Sequence, residues 1–210
     1  MSEQWKSANV GESEYWQIYT AEVDTLKHQE QYMDAMGIRD DYFHPPDNSL
    51  NMSGLNVLDV GGGPSSILLR TNKLRGNQHD GVNNGVVIDP LMITEHQKLR
   101  YDYYGIEFIQ DQSENIDQYY SEKGYFDECF IYNCLQHVLD PIQILDKVTY
   151  ISKRIRIAEP LNISTDSMHL HMFTKEYFDN YFSESKFKVH QVNLSKIGSC
   201  YHYVGLFSIK

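Results

Sequence analysis

Asp59-Val60-Gly61-Gly62-Gly63-Pro64-Ser65-Ser66 sets an acid, three glycines and two hydroxyls at the end of an apolar run, residues 55–60. Such a segment can cradle a ligand. Glycine lets the backbone come close without a Cβ in the way, and a helix start beyond it presents free N–H groups and partial positive charge. Ser65 or Ser66 can cap that start. Polar residues recur at similar places farther on. Asp89-Pro90 closes residues 86–88, Asp111-Gln112-Ser113 closes residues 105–110, and Asn133-Cys134 follows residues 126–132. An acid at the end of a second strand is the group that grips ribose hydroxyls in α/β nucleoside sites. His137, His169 and His171 supply proton chemistry, since a reference pKa near 6.5 suits a base at neutral pH. His169 and His171 are also spaced so that both can ligate a metal. Glu159 and Asp166 add no diagnostic ligand spacing, and no metal is expected.

These residues need strands to carry them. Val57, Leu58 and Val60 form a first buried strand, followed by a glycine turn and at most a short helix from residue 67. Residues 86–88, 105–110, 126–132 and 153–160 read as four further strands. Residues 93–101 fit a helix, and Ile142, Leu145 and Val148 mark an amphipathic one after Asp140-Pro141. Arg154 and Arg156 alternate with Ile155 and Ile157, an unusual face for a central strand, which pairs with acids of a neighbouring helix or faces a sheet edge. Thr174 is suited to cap a helix that turns Tyr177 and Phe178 inward. Residues 187–192 and 201–209 are alternating strands joined by a turn near Gly198. Consecutive strands with ligand-type residues at their carboxyl ends define an open α/β sheet with its site along that edge.

The spacing of Asp59, Gly61, Gly63 and Ser65 resembles motif I of the class I S-adenosylmethionine-dependent methyltransferases, with Ser65 where a third glycine is usual. Asn133-Cys134-Leu135-Gln136-His137-Val138-Leu139-Asp140-Pro141 resembles the segment after strand four in many small bacterial and phage-type members. The resemblance covers residues 51–210. It implies a Rossmann-like seven-stranded sheet ending in an antiparallel hairpin, with S-adenosylmethionine as cofactor and S-adenosylhomocysteine as product. It implies that Asp59, Gly61, Gly62, Gly63 and Ser65 cradle the cofactor, that Asp89 and Pro90 meet its ribose, and that Asn133 and Cys134 pass along its methionine part. Gln112 or Asp111 takes the adenine amine and Ser113 a ring nitrogen. Gln112 stands where an acid is often found. Residues 1–50 read as an N-terminal helical extension, with Tyr15, Trp16 and Tyr19 either packed on the sheet edge or closing as a lid over the acceptor pocket.

The acceptor is bounded by exclusion. No Asn/Asp-Pro-Pro-aromatic segment follows strand four, which disfavours amino-methylating DNA enzymes of that pattern, and no Pro-Cys nucleophile stands there for base-carbon methylation. The net charge of −11 weighs against nucleic acid. Sixteen tyrosines suit a hydroxylated ligand. A polar small molecule is expected, with a sugar or glycan-type hydroxyl first, and His137, His169 and His171 as candidate bases. Residues 1–31 hold no long apolar run, and no stretch approaches the ~20 apolar residues of a membrane span. Three cysteines at no metal-like spacing fit a reduced, cytoplasmic protein without a membrane partner. Two other readings remain open. One is an NAD(P)-binding oxidoreductase, whose G-x-G-x-x-G would need a glycine at Ser66. The other is a non-catalytic binding module on the same fold.

Overall fold

Apolar residues on both faces of a strand require cover on both faces, and the central strands here are of that kind. The computed structural model describes residues 10, 24–44, 49–71, 81–166 and 168–210. Seven strands form one sheet: β1 (Asn56–Val60), β2 (Asn84–Ile88), β3 (Ile106–Ile109), β4 (Glu128–Tyr132), β5 (Arg154–Pro160), β6 (Phe187–Ile197) and β7 (Cys200–Ile209). Their order is β3-β2-β1-β4-β5-β7-β6. β1 to β5 are parallel, and β7 runs antiparallel between β5 and β6. The chain reverses its direction across the sheet between β1 and β4, and ligands bind at such switch points.

Alternation along the strands divides the core in two. Leu58, Val60, Ile88, Ile131 and Ile157 face one side, where they meet Ile144, Leu145 and Val148 of α4 (Pro141–Ile151) and Phe178 of α5 (Lys175–Tyr181). Val57, Val87, Phe130 and Ala158 face the other side. There they meet Tyr32 and Met33 of α1 (Asp24–Ala35), Met36 in the turn just after it, Ile38 of α2 (Ile38–Tyr42) and Tyr101 of α3 (Glu95–Tyr104). Thr174 caps its helix as the sequence suggests, and Asp140 caps another. Asp140 accepts from the Gln143 N–H at 3.0 Å, with Pro141 opening the helix, and Thr174 accepts from the Tyr177 N–H at 3.3 Å.

Two expectations change. The buried stripe of α4 runs through Ile144, Leu145, Val148 and Ile151, which leaves Ile142 41 % exposed. The segment after the glycine turn is two 3-10 turns, Gly63–Ser65 and Ile67–Arg70, rather than one helix. Pro64 starts the first, and the extended ψ of 145° at Ser66 separates them. Ser66 is the capping serine, accepting from the Leu68 N–H at 3.0 Å.

The odd arginine also finds its reason. Arg156 is fully buried and points at α1 and α2. It donates to Glu128 Oε2 on β4 at 3.1 Å, to the Met36 carbonyl at 2.7 Å and to Asp41. Glu128, equally buried, also meets Arg154 at 3.0 Å and the Tyr42 hydroxyl at 2.6 Å. Tyr15, Trp16 and Tyr19 lie outside the described residues. No helix among the described residues is long and apolar enough to cross a membrane.

Candidate functional site

The turns after β1, β2 and β4 interlock at the carboxyl edge of the sheet. Gly61 has a φ of 71°, a left-handed conformation that favours glycine, and its N–H donates to the Ile88 carbonyl at 2.9 Å. A Cβ at Gly61 would lie 2.3 Å from Cys134 Cβ. A Cβ at Gly62 would lie 2.7 Å from Asp59 Oδ2. Gly63 donates its N–H to Asp89 Oδ2 at 2.9 Å, and Asp89 Oδ1 accepts from the Leu91 N–H at 2.8 Å. Asp89 is therefore buried at the end of β2 as expected, and it also shapes the glycine turn. Ser65 and Pro90 are half-buried.

Asp59 lies beneath this turn. Its Oδ2 accepts from the Tyr132 hydroxyl at 3.0 Å and from Ser66 Oγ, and its buried Oδ1 has no hydrogen-bond partner among the described residues. Tyr132 in turn accepts from the Ile67 N–H at 3.1 Å, and Tyr101 donates to the Gly63 carbonyl. Burial pushes the Asp59 carboxyl up to about 7 against the pull of those hydrogen bonds. Glu159, at the end of β5, is comparable. Its two oxygens accept from the N–H groups of Cys134 at 3.0 Å and Leu135 at 3.2 Å, and burial raises its carboxyl to about 7.

A carboxyl whose folded pKa lies above its unfolded value favours folding below the unfolded pKa, and that advantage is lost as pH rises through the folded one. Asp59→Asn can still accept both hydroxyls and carries no charge. Measured by urea denaturation at pH 5 and pH 8, the parent should lose stability relative to this variant, on the order of 1–3 kcal/mol. An unchanged difference at the two pH values would show that Asp59 does not titrate there.

After β3, Asp111 is occupied locally. Oδ1 accepts from the Gln112 N–H at 2.7 Å and Asn115 at 2.9 Å, and Oδ2 from the Tyr119 hydroxyl at 2.9 Å. These bonds outweigh partial burial and hold its pKa below the ordinary value. Gln112 is half-buried, and its side chain makes no hydrogen bond among the described residues. Ser113 is buried. After β4, Asn133 adopts a φ of 50°, and its Oδ1 accepts from Gln136 Nε2 at 3.2 Å. Gln136 Oε1 is buried with no hydrogen-bond partner among the described residues. His137 and His169 pack ring to ring, centroids 5.0 Å apart, while His171 lies on Phe173 and its Nε2 meets the Val138 carbonyl at 2.9 Å. The three histidines thus share the surface formed by the segments after β4 and β5. No group of three or more His, Cys, Asp or Glu able to hold a metal occurs among the described residues.

Sequence reasoning missed Tyr101, Tyr132 and Gln136 as parts of this edge. An aromatic inside a helix or strand reads as core, and only the neighbouring turn gives its hydroxyl a task.

The sheet order, with its antiparallel seventh strand, is that of the class I S-adenosylmethionine-dependent methyltransferase fold. The putative methyltransferase complexed with the Trm112 activator of Haloferax volcanii is 12 % identical at a TM-score of 0.61, with 100 % of this chain and 98 % of that chain covered. The 1,6-didemethyltoxoflavin-N1-methyltransferase of Burkholderia thailandensis, solved with its substrate and S-adenosylhomocysteine, is 13 % identical at 0.60, covering 98 % and 88 %. The magnesium protoporphyrin IX methyltransferase of Synechocystis, solved with S-adenosylmethionine, is 12 % identical at 0.60, covering 88 % and 81 %. The sequence matches no protein-family model and no curated protein.

Proposed function

We propose that this chain is an S-adenosylmethionine-dependent methyltransferase acting on a polar small molecule, with a hydroxyl of sugar or glycan type as first choice. The observation that carries the reading is the convergence of the glycine turn, Asp89, Gln112 and Asn133 on one sheet edge, in a fold whose neighbours hold this cofactor or its product. The residues present fit the group. Asp89 stands at the end of β2 against the glycine turn, and a carboxylate is the group that accepts from ribose hydroxyls. Gln112 has an uncommitted amide for adenine, with the Ser113 backbone beside it. Gln136 Oε1 is a buried acceptor that a donor at the methionine end would satisfy. Gly61 and Gly62 let the turn pack onto Cys134 and Asp59, and Gly63 puts no side chain beside Asp89. Bound there, the cofactor supplies an electrophilic methyl group on a sulfonium. The chain's own task is to hold the acceptor in line and to receive its proton.

The missing third glycine of a dinucleotide fingerprint is Ser66, whose buried hydroxyl is committed to Asp59, and this disfavours the NAD(P) reading. Calorimetric titration separates the two: S-adenosylhomocysteine should bind and NAD should not. Asp89→Ala should weaken S-adenosylhomocysteine by at least about tenfold, because a charge-assisted hydrogen bond is worth roughly 1.5–3 kcal/mol. Parental affinity in that variant would remove Asp89 from the ribose site. Transfer of labelled methyl groups to sugars rather than to amines or carbon acids would support the acceptor class. It would also distinguish an enzyme from a binding module.

A further inference from the structure

Asp166 and His169 lie in the segment between β5 and α5. Asp166 Oδ1 accepts from the N–H groups of Met168 at 2.7 Å and His169 at 2.8 Å. Both carboxylate oxygens also face His169 Nδ1, at 3.0 and 2.9 Å. Those bonds hold the Asp166 carboxyl down at about 2, so it is ionised and can only accept. The proton of the neutral imidazole therefore resides on Nδ1. Nε2 is left with its lone pair, and it makes no hydrogen bond among the described residues.

The other two histidines differ. His137 Nδ1 lies 2.9 Å from the Met168 carbonyl and must donate to it, and its Nε2 lies 3.0 Å from Gln136 Nε2, which occupies the lone pair. His171 donates Nε2–H to the Val138 carbonyl, leaving Nδ1, but among the described residues no carboxylate pairs with it to balance an imidazolium. The Asp166–His169 segment is tied to the cofactor edge. The N–H groups of Leu170 and His171 donate to the Gln136 carbonyl at 2.6 and 3.2 Å, and Gln136 bonds Asn133.

We infer that His169 Nε2 is the base for the acceptor hydroxyl and that Asp166 is its positioning residue, an inference that rests on the methyltransferase reading. The O–H bond breaks and the proton passes to Nε2. The oxygen keeps the electron pair and uses it for the new bond to the methyl carbon, whose former bonding pair leaves with sulfur. The imidazolium is balanced by Asp166 and returns the proton to water.

The test begins with histidine-labelled full-length protein. Long-range ¹⁵N–¹H NMR should show neutral His169 protonated on Nδ1. In Asp166→Asn the amide oxygen can keep the two backbone N–H groups while the amide nitrogen faces Nδ1, so the proton should move to Nε2. Methyl transfer from labelled S-adenosylmethionine to whichever sugar or phenol in a panel is methylated gives the second readout. Both His169→Ala and Asp166→Asn should lower kcat by at least about a hundredfold, with S-adenosylhomocysteine affinity kept within about twofold. An Nε2–H tautomer in the parent, or undiminished kcat in His169→Ala, overturns the base assignment while leaving the methyltransferase reading intact. A parent protein that fails to bind S-adenosylhomocysteine overturns that reading, and this inference with it.

Discussion

Gly61→Val is expected to lower the melting temperature by roughly 4–20 °C, or to leave no folded protein. Two effects add. A β-branched residue in a left-handed conformation costs roughly 1–2 kcal/mol, and overpacking typically adds about 1–3 kcal/mol. For a chain of this size each kcal/mol moves the midpoint by about 2–4 °C. The overpacking cannot relax easily. The new Cβ would stand 2.3 Å from Cys134 Cβ and 2.9 Å from its Sγ. Cys134 is held from behind by Glu159 through its own N–H at 3.0 Å, and Asn133 N–H is held by the Ala158 carbonyl at 3.1 Å. On the other side Gly61 is tied to Ile88 at 2.9 Å. A double-mutant cycle isolates the contact. Cys134→Gly should cost stability in the parent but recover part of the loss in Gly61→Ala, because it removes the Cβ that is struck. A Gly61→Val protein that melts with the parent would refute the close approach of the two turns.

That contact marks where sequence reasoning ends. The strands were legible because β1 and β4 are short apolar runs punctuated by glycine or proline, and because polar residues close each one. The final hairpin was legible from alternation. Asp59, Asp89 and the Asn133-Cys134 pair could be placed on one edge from strand order alone. What each carboxylate touches could not. Asp89 holds Gly63, 26 residues away, and Glu159 holds Cys134, 25 residues away. Neither spacing is fixed by a local period. The choice among His137, His169 and His171 was equally hidden, since it depends on which ring nitrogen faces a carbonyl, an amide or a carboxylate. The Asp166–His169 pair is local, three residues apart, and there the turn itself makes the contact. The short 3-10 turns after the glycines show the opposite case, a local signal outweighed: Pro64 and the Asp59–Ser66 bond break what apolar spacing would continue as a helix.

Arg156→Met should destabilise the fold by about 3 kcal/mol, the lower end of the 3–5 kcal/mol seen when one member of a buried ion pair is removed. The lower end applies because Glu128 would keep Arg154 at 3.0 Å and the Tyr42 hydroxyl at 2.6 Å. The Met36 carbonyl and Asp41 would lose their arginine donor. The effect should be concentrated in α1 and α2, so backbone amides of residues 29–42 should exchange with solvent faster in the variant than those of β1 and β4. Replacing both members, Arg156→Met with Glu128→Met, removes the stranded charge as well as its partner, and most of the lost stability should return. The consequence reaches the site through one stack of rings. Tyr32 of α1 packs on Tyr132 with centroids 5.3 Å apart, and Tyr132 bonds Asp59 under the glycine turn. Loosening α1 in Arg156→Met should therefore weaken S-adenosylhomocysteine several-fold, and the double variant should regain it. If single and double variants are equally unstable in urea, the loss comes from packing around residue 156, and the buried carboxylate of Glu128 is not its cause.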